Sequence, residues 1–147
     1  MNKLNKDQIR ELLPHREPML LIDELYDIKK LFSATAVVNV KKDSFFVQGH
    51  FPNQPVMPGV LIVESFGQAA AALTADGLDK ETYENKLVFL MGIEKARFRN
   101  PVVPDCKLLL NIEAIRAKYG STRVKLLLAI QKWLMLYGQQ QLLIGNK

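Results

Sequence analysis

Beyond Pro58 the chain turns apolar, with Val60, Leu61, Val63, Phe66, Gly67, Ala69, Ala70, Ala71 and Leu73 following one another without another proline. This density predicts a buried helix of about four turns, with Pro58 at its first position and an end near Asp76-Gly77. Just upstream, Pro52, Pro55 and Pro58 fix φ and remove donors, so residues 51–57 are expected to form a rigid extended loop. Near the start, Asn5 or Asp7 can cap a short helix through Leu12 or Leu13, which Pro14 ends. Residues 19–22 are a compact apolar run suited to a buried strand. Residues 31–40 are β-branched and partly alternating, another strand. After a polar connection at 79–86, residues 87–92 and 96–99 read as strand, with Arg97 and Arg99 pointing away from Ala96 and Phe98. Residues 108–117 place Leu108, Leu110, Ile112 and Ala114 on one face, and 124–128 are the next strand candidate. One long apolar helix amid several strands is an α+β pattern.

Within the helix, Glu64 and Gln68 are i,i+4 neighbours and share a face. A carboxylate in such apolar company must be hydrogen-bonded, neutralised or chemically employed. A structural glutamate satisfied by backbone groups is as good a reading as a catalytic one until the preceding loop, with its histidine at position 50, is considered. His15, between a helix stop and a proline-bounded turn, reads as a structural hydrogen-bonding residue, since no partner for it is visible nearby.

Composition narrows the classes. The 147 residues suit one domain, 1–147, and 48% hydrophobic with 24% charged residues is ordinary for a soluble globular protein. Cys106 is the single cysteine, so an intramolecular disulfide is impossible. With His15 and His50 as the two histidines, a His/Cys metal site is poorly supported. The first residues lack an apolar core followed by a cleavage site, so a cytoplasmic location is the expectation. The longest apolar run, 124–138, is interrupted by Gln131 and Lys132 and is too short to span a bilayer. A net charge of +5 favours an acidic partner. The basic residues are dispersed and no nucleic-acid motif accompanies them, so an acidic protein partner or a merely solvated surface accounts for the charge.

The stretch GHFPNQPVMPGVLIVESFGQ at 49–68 resembles the active-site segment of the bacterial (3R)-hydroxyacyl-[acyl-carrier-protein] dehydratases of type II fatty acid synthesis. LPHREPMLLIDE at 13–24 and FLMGIEKARFRNPVVP at 89–104 match as well, which extends the resemblance from about residue 9 to about residue 115. The resemblance implies a hot-dog fold, a curved antiparallel β-sheet wrapped around one long central helix. It also implies dehydration of the carrier-bound (3R)-hydroxyacyl group to the trans-2-enoyl product, with no cofactor.

That reaction needs a base for the α-proton, an acid for the departing β-hydroxyl, and donors for the charge developing on the thioester oxygen. His50 is the neutral base available, because imidazole titrates near neutrality. Glu64, enclosed by Val60, Leu61, Val63 and Phe66, is expected to have its pKa raised by desolvation and to serve as the acid. The backbone N–H groups from Gly59 onward, at a helix N-terminus, can polarise the carbonyl.

The resemblance implies the same roles. His50 and Glu64 match the family's catalytic pair, contributed by opposite subunits of a homodimer that further assembles as a trimer of dimers. Gly59 matches the backbone donor and Gln68 a residue that orients the glutamate. Met57, Pro58 and Phe98 fall near positions expected to line the acyl tunnel, although each is more ordinarily plain core. Lys95, Arg97 and Arg99 are candidates for docking the acyl carrier protein. No nucleic acid or membrane partner is implied.

Two departures from the family stand out. Its usual Pro-Gly-Asp is replaced after Pro104 by Asp105-Cys106, removing a glycine from an expected turn. The tail 118–147 shows a turn at Gly120-Ser121 but no clear closing hairpin, which fits either divergence or a change of reading frame near 117–125. Lost strands would leave Leu126, Leu127, Leu128, Trp133, Leu134 and Leu136 as exposed liabilities. Two alternatives stay open: an acyl thioesterase on the same fold, or a non-catalytic carrier-binding subunit.

Overall fold

The computed structural model describes residues 2–84, 89–93, 96–118, 121–130 and 133–145. The elements run β1 (Lys3–Leu4), α1 (Lys6–Leu12), β2 (Glu24–Lys29), β3 (Ser33–Val40), α2 (Gly59–Gly77), α3 (Lys80–Tyr83), β4 (Phe89–Ile93), β5 (Cys106–Lys118), β6 (Ser121–Ile130) and β7 (Trp133–Gly145). The strands form one seven-stranded sheet in the order β1-β2-β3-β5-β6-β7-β4, with every pairing antiparallel. β3 and β5 pair along their length, from Ser33 opposite Glu113 to Val40 opposite Cys106. The proline-rich loop and α2 are therefore an excursion from the middle of the sheet, and the chain passes through β4 at the far edge before returning as β5.

The helix lies against β3 and β5 because those strands bury one alternate face. Ala34, Ala36 and Val38 stand opposite Ile112, Leu110 and Leu108, and all six are buried. Small side chains on β3 meet large ones on β5, and Ala69, Ala70, Ala71 and Ala72 give the helix a thin surface that lets it approach closely. The other side of the helix is covered by α1 and the segment after it, through Ile9, Leu13, Leu20 and Ile22. α2 is thus buried nearly all round, as its apolar density requires.

Several boundaries differ from expectation. Asn5 is the cap of α1, its side chain accepting from Gln8 N–H while the Gln8 side chain accepts from Asn5 N–H. Pro58 is the N-cap of α2, not its first residue, and the helix runs 19 residues, beyond the four turns expected. Residues 19–22 are buried at Leu20, Leu21 and Ile22 but are not a strand, because a glutamine side chain and not a neighbouring strand pairs with that backbone. Residues 96–99 are likewise irregular, with Arg97, Phe98 and Arg99 all exposed. Residues 87 and 88, Lys95 and Gly120 lie outside the described residues.

The tail forms the closing hairpin that the sequence seemed to lack, with the 124–128 strand candidate inside β6. β6 pairs with β5 from Leu108–Ile130 to Lys118–Ser121, and β7 pairs with β6 and then with β4. A run such as Leu126-Leu127-Leu128 suits either helix or strand, and the open edge of β5 decides it. At the altered turn, Asp105 takes a φ of 28°, the region glycine enters most easily. Its carboxylate accepts from Lys42 N–H at 3.3 Å and pairs with Lys42 Nζ at 3.3 Å, contacts a glycine cannot make.

Candidate active site

The loop that carries His50 is closed on itself. Val56 N–H donates to His50 O at 2.7 Å, and Phe51 and Gln54 exchange backbone hydrogen bonds at 3.1 and 3.0 Å. The next residue, Met57, donates its N–H to Val102 O at 2.8 Å and is buried in the core. The expected rigidity therefore has a cause beyond proline: cross-loop pairing and one anchor to the 101–104 segment.

His50 Nδ1 lies 2.8 Å from Val56 O. A carbonyl oxygen only accepts, so Nδ1 must carry the hydrogen, and the lone pair of the neutral ring sits on Nε2. The ring stacks on Phe51, centroids 4.3 Å apart at 24°. Half-buried and with the tautomer of its neutral ring set by Val56 O, His50 offers Nε2 to accept a proton.

Glu64 sits in the second turn of α2 with a different set of partners. Its Oε1 lies 3.3 Å from His15 Nε2 and accepts from Gln68 Nε2 at 3.0 Å. Gln68 is itself locked: its Oε1 accepts from Leu21 N–H at 2.9 Å and its Nε2 also donates to Met19 O at 2.7 Å. One buried amide thus replaces a missing strand partner for residues 19–21 and fixes a carboxylate. Gln68, expected to orient the glutamate, bonds it directly.

The expected rise in the Glu64 pKa is not found in the single protomer. The hydrogen bond with His15 is the largest influence and lowers it; burial raises it but is outweighed, and Gln68 and the charge of His15 lower it further. The side chain is 29% exposed, too open for desolvation to dominate.

The sequence reads His15 as a structural hydrogen-bonding residue with no visible partner. It does have a partner, and that partner is Glu64. The available signal was its place in LPHREPMLLIDE, one of the matching segments, since contact between positions so far apart leaves no local trace. The backbone at His15 is held by Arg16, whose Nη1 donates to His15 O at 2.6 Å and Leu13 O at 2.9 Å.

At the head of α2, the N–H of Gly59 has no intrahelical acceptor. The ring of Phe98 lies over this glycine: a Cβ there would come 2.9 Å from Phe98 Cε2. Gly59, Pro58 and Phe98 thus meet at one place, with Phe98 48% exposed. The structure brings together Glu64, Gln68 and His15 as one set and Gly59 with Phe98 as another, while His50 bonds within its own loop. Among the described residues no three His, Cys, Asp or Glu side chains cluster as metal ligands.

Residues 13–140 match the family model of the FabA-like domain. The chain belongs to the FabA-like family. Over 110 residues it is 47% identical to the 3-hydroxyacyl-[acyl-carrier-protein] dehydratase FabZ of Anaeromyxobacter dehalogenans, spanning 75% of this chain and 70% of that one. Over 122 residues it is 43% identical to the enzyme of the same name from Variovorax paradoxus, spanning 83% and 81%. Among solved structures, the dehydratase heterocomplex ApeI:P from Xenorhabdus doucetiae superposes with a TM-score of 0.78 at 16% identity, covering 95% of this chain and 90% of that one. That likeness shows a shared fold, the helix-on-sheet hot-dog arrangement. The FabA-like match runs on through β6 and into β7, so most of the atypical tail falls within the family's span.

Proposed function

We propose that this FabA-like protein is a hydro-lyase that converts (3R)-hydroxyacyl-[acyl-carrier-protein] to the trans-2-enoyl form in fatty acid biosynthesis. The observation that carries the reading is the 47% identity with a relative named for that reaction. The residue geometry supplies a mechanism. His50 Nε2 takes the α-proton, and the electron pair of that C–H bond moves into the thioester, whose oxygen is met by the Gly59 N–H. As the double bond forms, the C–O bond at the β-carbon breaks and Glu64 gives its proton to the leaving hydroxyl, which departs as water. The step ends with imidazolium and carboxylate, and proton exchange with solvent resets both.

Glu64 must hold a proton to act as the acid. In the single protomer the hydrogen bond with His15 favours the ionised form further; covering the site with substrate and a second subunit strengthens the desolvation that opposes it. His50 and Glu64 hold separate partners within one chain, which favours a homodimer in which each site joins His50 of one subunit to Glu64 of the other. A trimer of such dimers is the assembly we expect. Met57, Pro58 and Phe98 would border the acyl chain. The acyl carrier protein would dock at Arg97 and Arg99, both exposed, with Lys95 outside the described residues. No cofactor enters the scheme. No helix among the described residues is long and apolar enough to cross a membrane; a cytoplasmic location is part of the proposal.

The test is to supply a 3-hydroxyacyl-carrier substrate and follow enoyl absorbance and free thiol together. Enoyl formation without thiol release is expected. Thiol release would make the protein a thioesterase, and carrier binding with neither product would make it a non-catalytic subunit.

A further inference from the structure

His15 is placed as no merely structural histidine needs to be. Its Nε2 faces the Glu64 carboxylate, while its Nδ1 is buried with no hydrogen-bond partner among the described residues. A hydrogen on Nδ1 would be an unpaired buried donor, which is costly; a bare lone pair there costs less. In the neutral ring the hydrogen therefore belongs on Nε2, where it donates to Glu64 Oε1. Gln68 Nε2 donates to the same oxygen. A carboxyl oxygen has two lone pairs, so two donors saturate Oε1.

We propose that His15 is a positioning residue for Glu64: with Gln68 it occupies both lone pairs of Oε1 and so confines the transferable proton to Oε2. The arrangement fits both states of the acid. The carboxylate is held by two donors, and the protonated form keeps both, because its carbonyl-type oxygen still accepts them. Proton delivery then changes Oε2 alone and needs no rotation of the carboxyl group.

The surrounding charges leave this role to His15. On its own segment, Arg16 is turned toward the carbonyls of Leu13 and His15, and Glu17 lies 4.0 Å from Lys6 and 3.6 Å from Arg10 of α1. On α2 the neighbour of Glu64 is the neutral Gln68, and His50 in the loop before α2 bonds Val56. Among the described residues, His15 is the titratable group that acts on the carboxyl.

The catalytic part of this inference rests on the dehydratase reading, so the decisive readout does not use activity. Protein labelled with ¹³C at glutamate Cδ is titrated by NMR, the Glu64 signal being assigned by its loss in Glu64→Gln. His15→Leu is expected to raise the Glu64 midpoint by about one pH unit, since the donor is lost while burial remains. His15→Gln, whose amide can still donate, is expected to hold it near the wild-type position. If the protein dehydrates, kcat of His15→Leu should fall roughly 10–100-fold with KM little changed, and His15→Gln should recover much of it. A folded His15→Leu that titrates as wild type overturns the inference, as does a His15→Gln midpoint raised as far as that of His15→Leu. Should His15→Leu fail to fold, the His15→Gln titration decides alone: an unshifted midpoint upholds the role and a raised one overturns it. An inert wild type would sink the dehydratase reading and leave the titration to decide the role of His15.

Discussion

At the scale of single residues, one buried amide links packing to chemistry. Gln68 satisfies Leu21 N–H, Met19 O and Glu64 Oε1 at once. Gln68→Leu keeps the volume but strands two backbone groups, so it should destabilise the fold by about 2–4 kcal/mol in urea unfolding. It should also lower kcat, because Glu64 loses a restraint. The carboxylate itself predicts a pH dependence. Its folded pKa lies below the ordinary value of 4.5, so the unfolded chain binds the proton more readily. The stabilisation from Glu64 is therefore present above the ordinary value and is lost as pH falls through the folded one. Unfolding at pH 7 and pH 3 should show wild type ahead of Glu64→Gln by more at the higher pH. The shared face of Glu64 and Gln68 was legible from i,i+4 spacing, as was the fixed His50 loop from its prolines. The His15 contact was not, because it joins two segments that only the tertiary fold brings together, and burial was overrated as an influence on Glu64 for the same reason.

At the scale of elements, the long helix was legible because its apolar residues leave no polar face, and the strands at β3 and β5 because alternation marks the side turned to the core. Residues 19–22 have the composition of a strand but take their hydrogen bonds from Gln68, a substitution that periodicity does not register. The end of α2 offers a test of packing. A Cβ on Gly77 would clash with Leu31 Cγ and Cδ2, and Leu31 is held in a turn at φ 60°. Gly77→Ala should therefore cost about 1–3 kcal/mol in thermal or urea unfolding despite its better helix propensity. A stabilised variant would mean that the Leu31 turn yields freely.

At the scale of the whole molecule, the sheet explains why the unusual tail need not spoil the site. β6 and β7 close the sheet between β5 and β4, and the proposed site draws on residues 15–98, ahead of them. Sequence patterning failed in the tail because the turn chemistry that usually announces a hairpin is missing, while pairing depends on the edge that β5 offers. At this scale also belongs the carrier. Charge reversal at Arg97 should raise KM for the carrier-bound substrate severalfold and leave kcat nearly unchanged, as expected for a surface contact in steering an acidic partner; an unchanged KM removes Arg97 from the docking surface. The central claim, that His50 and Glu64 of opposite subunits make one dehydratase site, is met most directly by mixing two variants. His50→Ala and Glu64→Ala, each assayed alone for enoyl formation, should be inactive. Refolded together they should recover roughly a quarter of wild-type activity, since half the dimers are hybrids and each hybrid has one intact site. Substantial activity in either variant alone, or a mixture as inert as its parts beside an active wild type, would contradict the account.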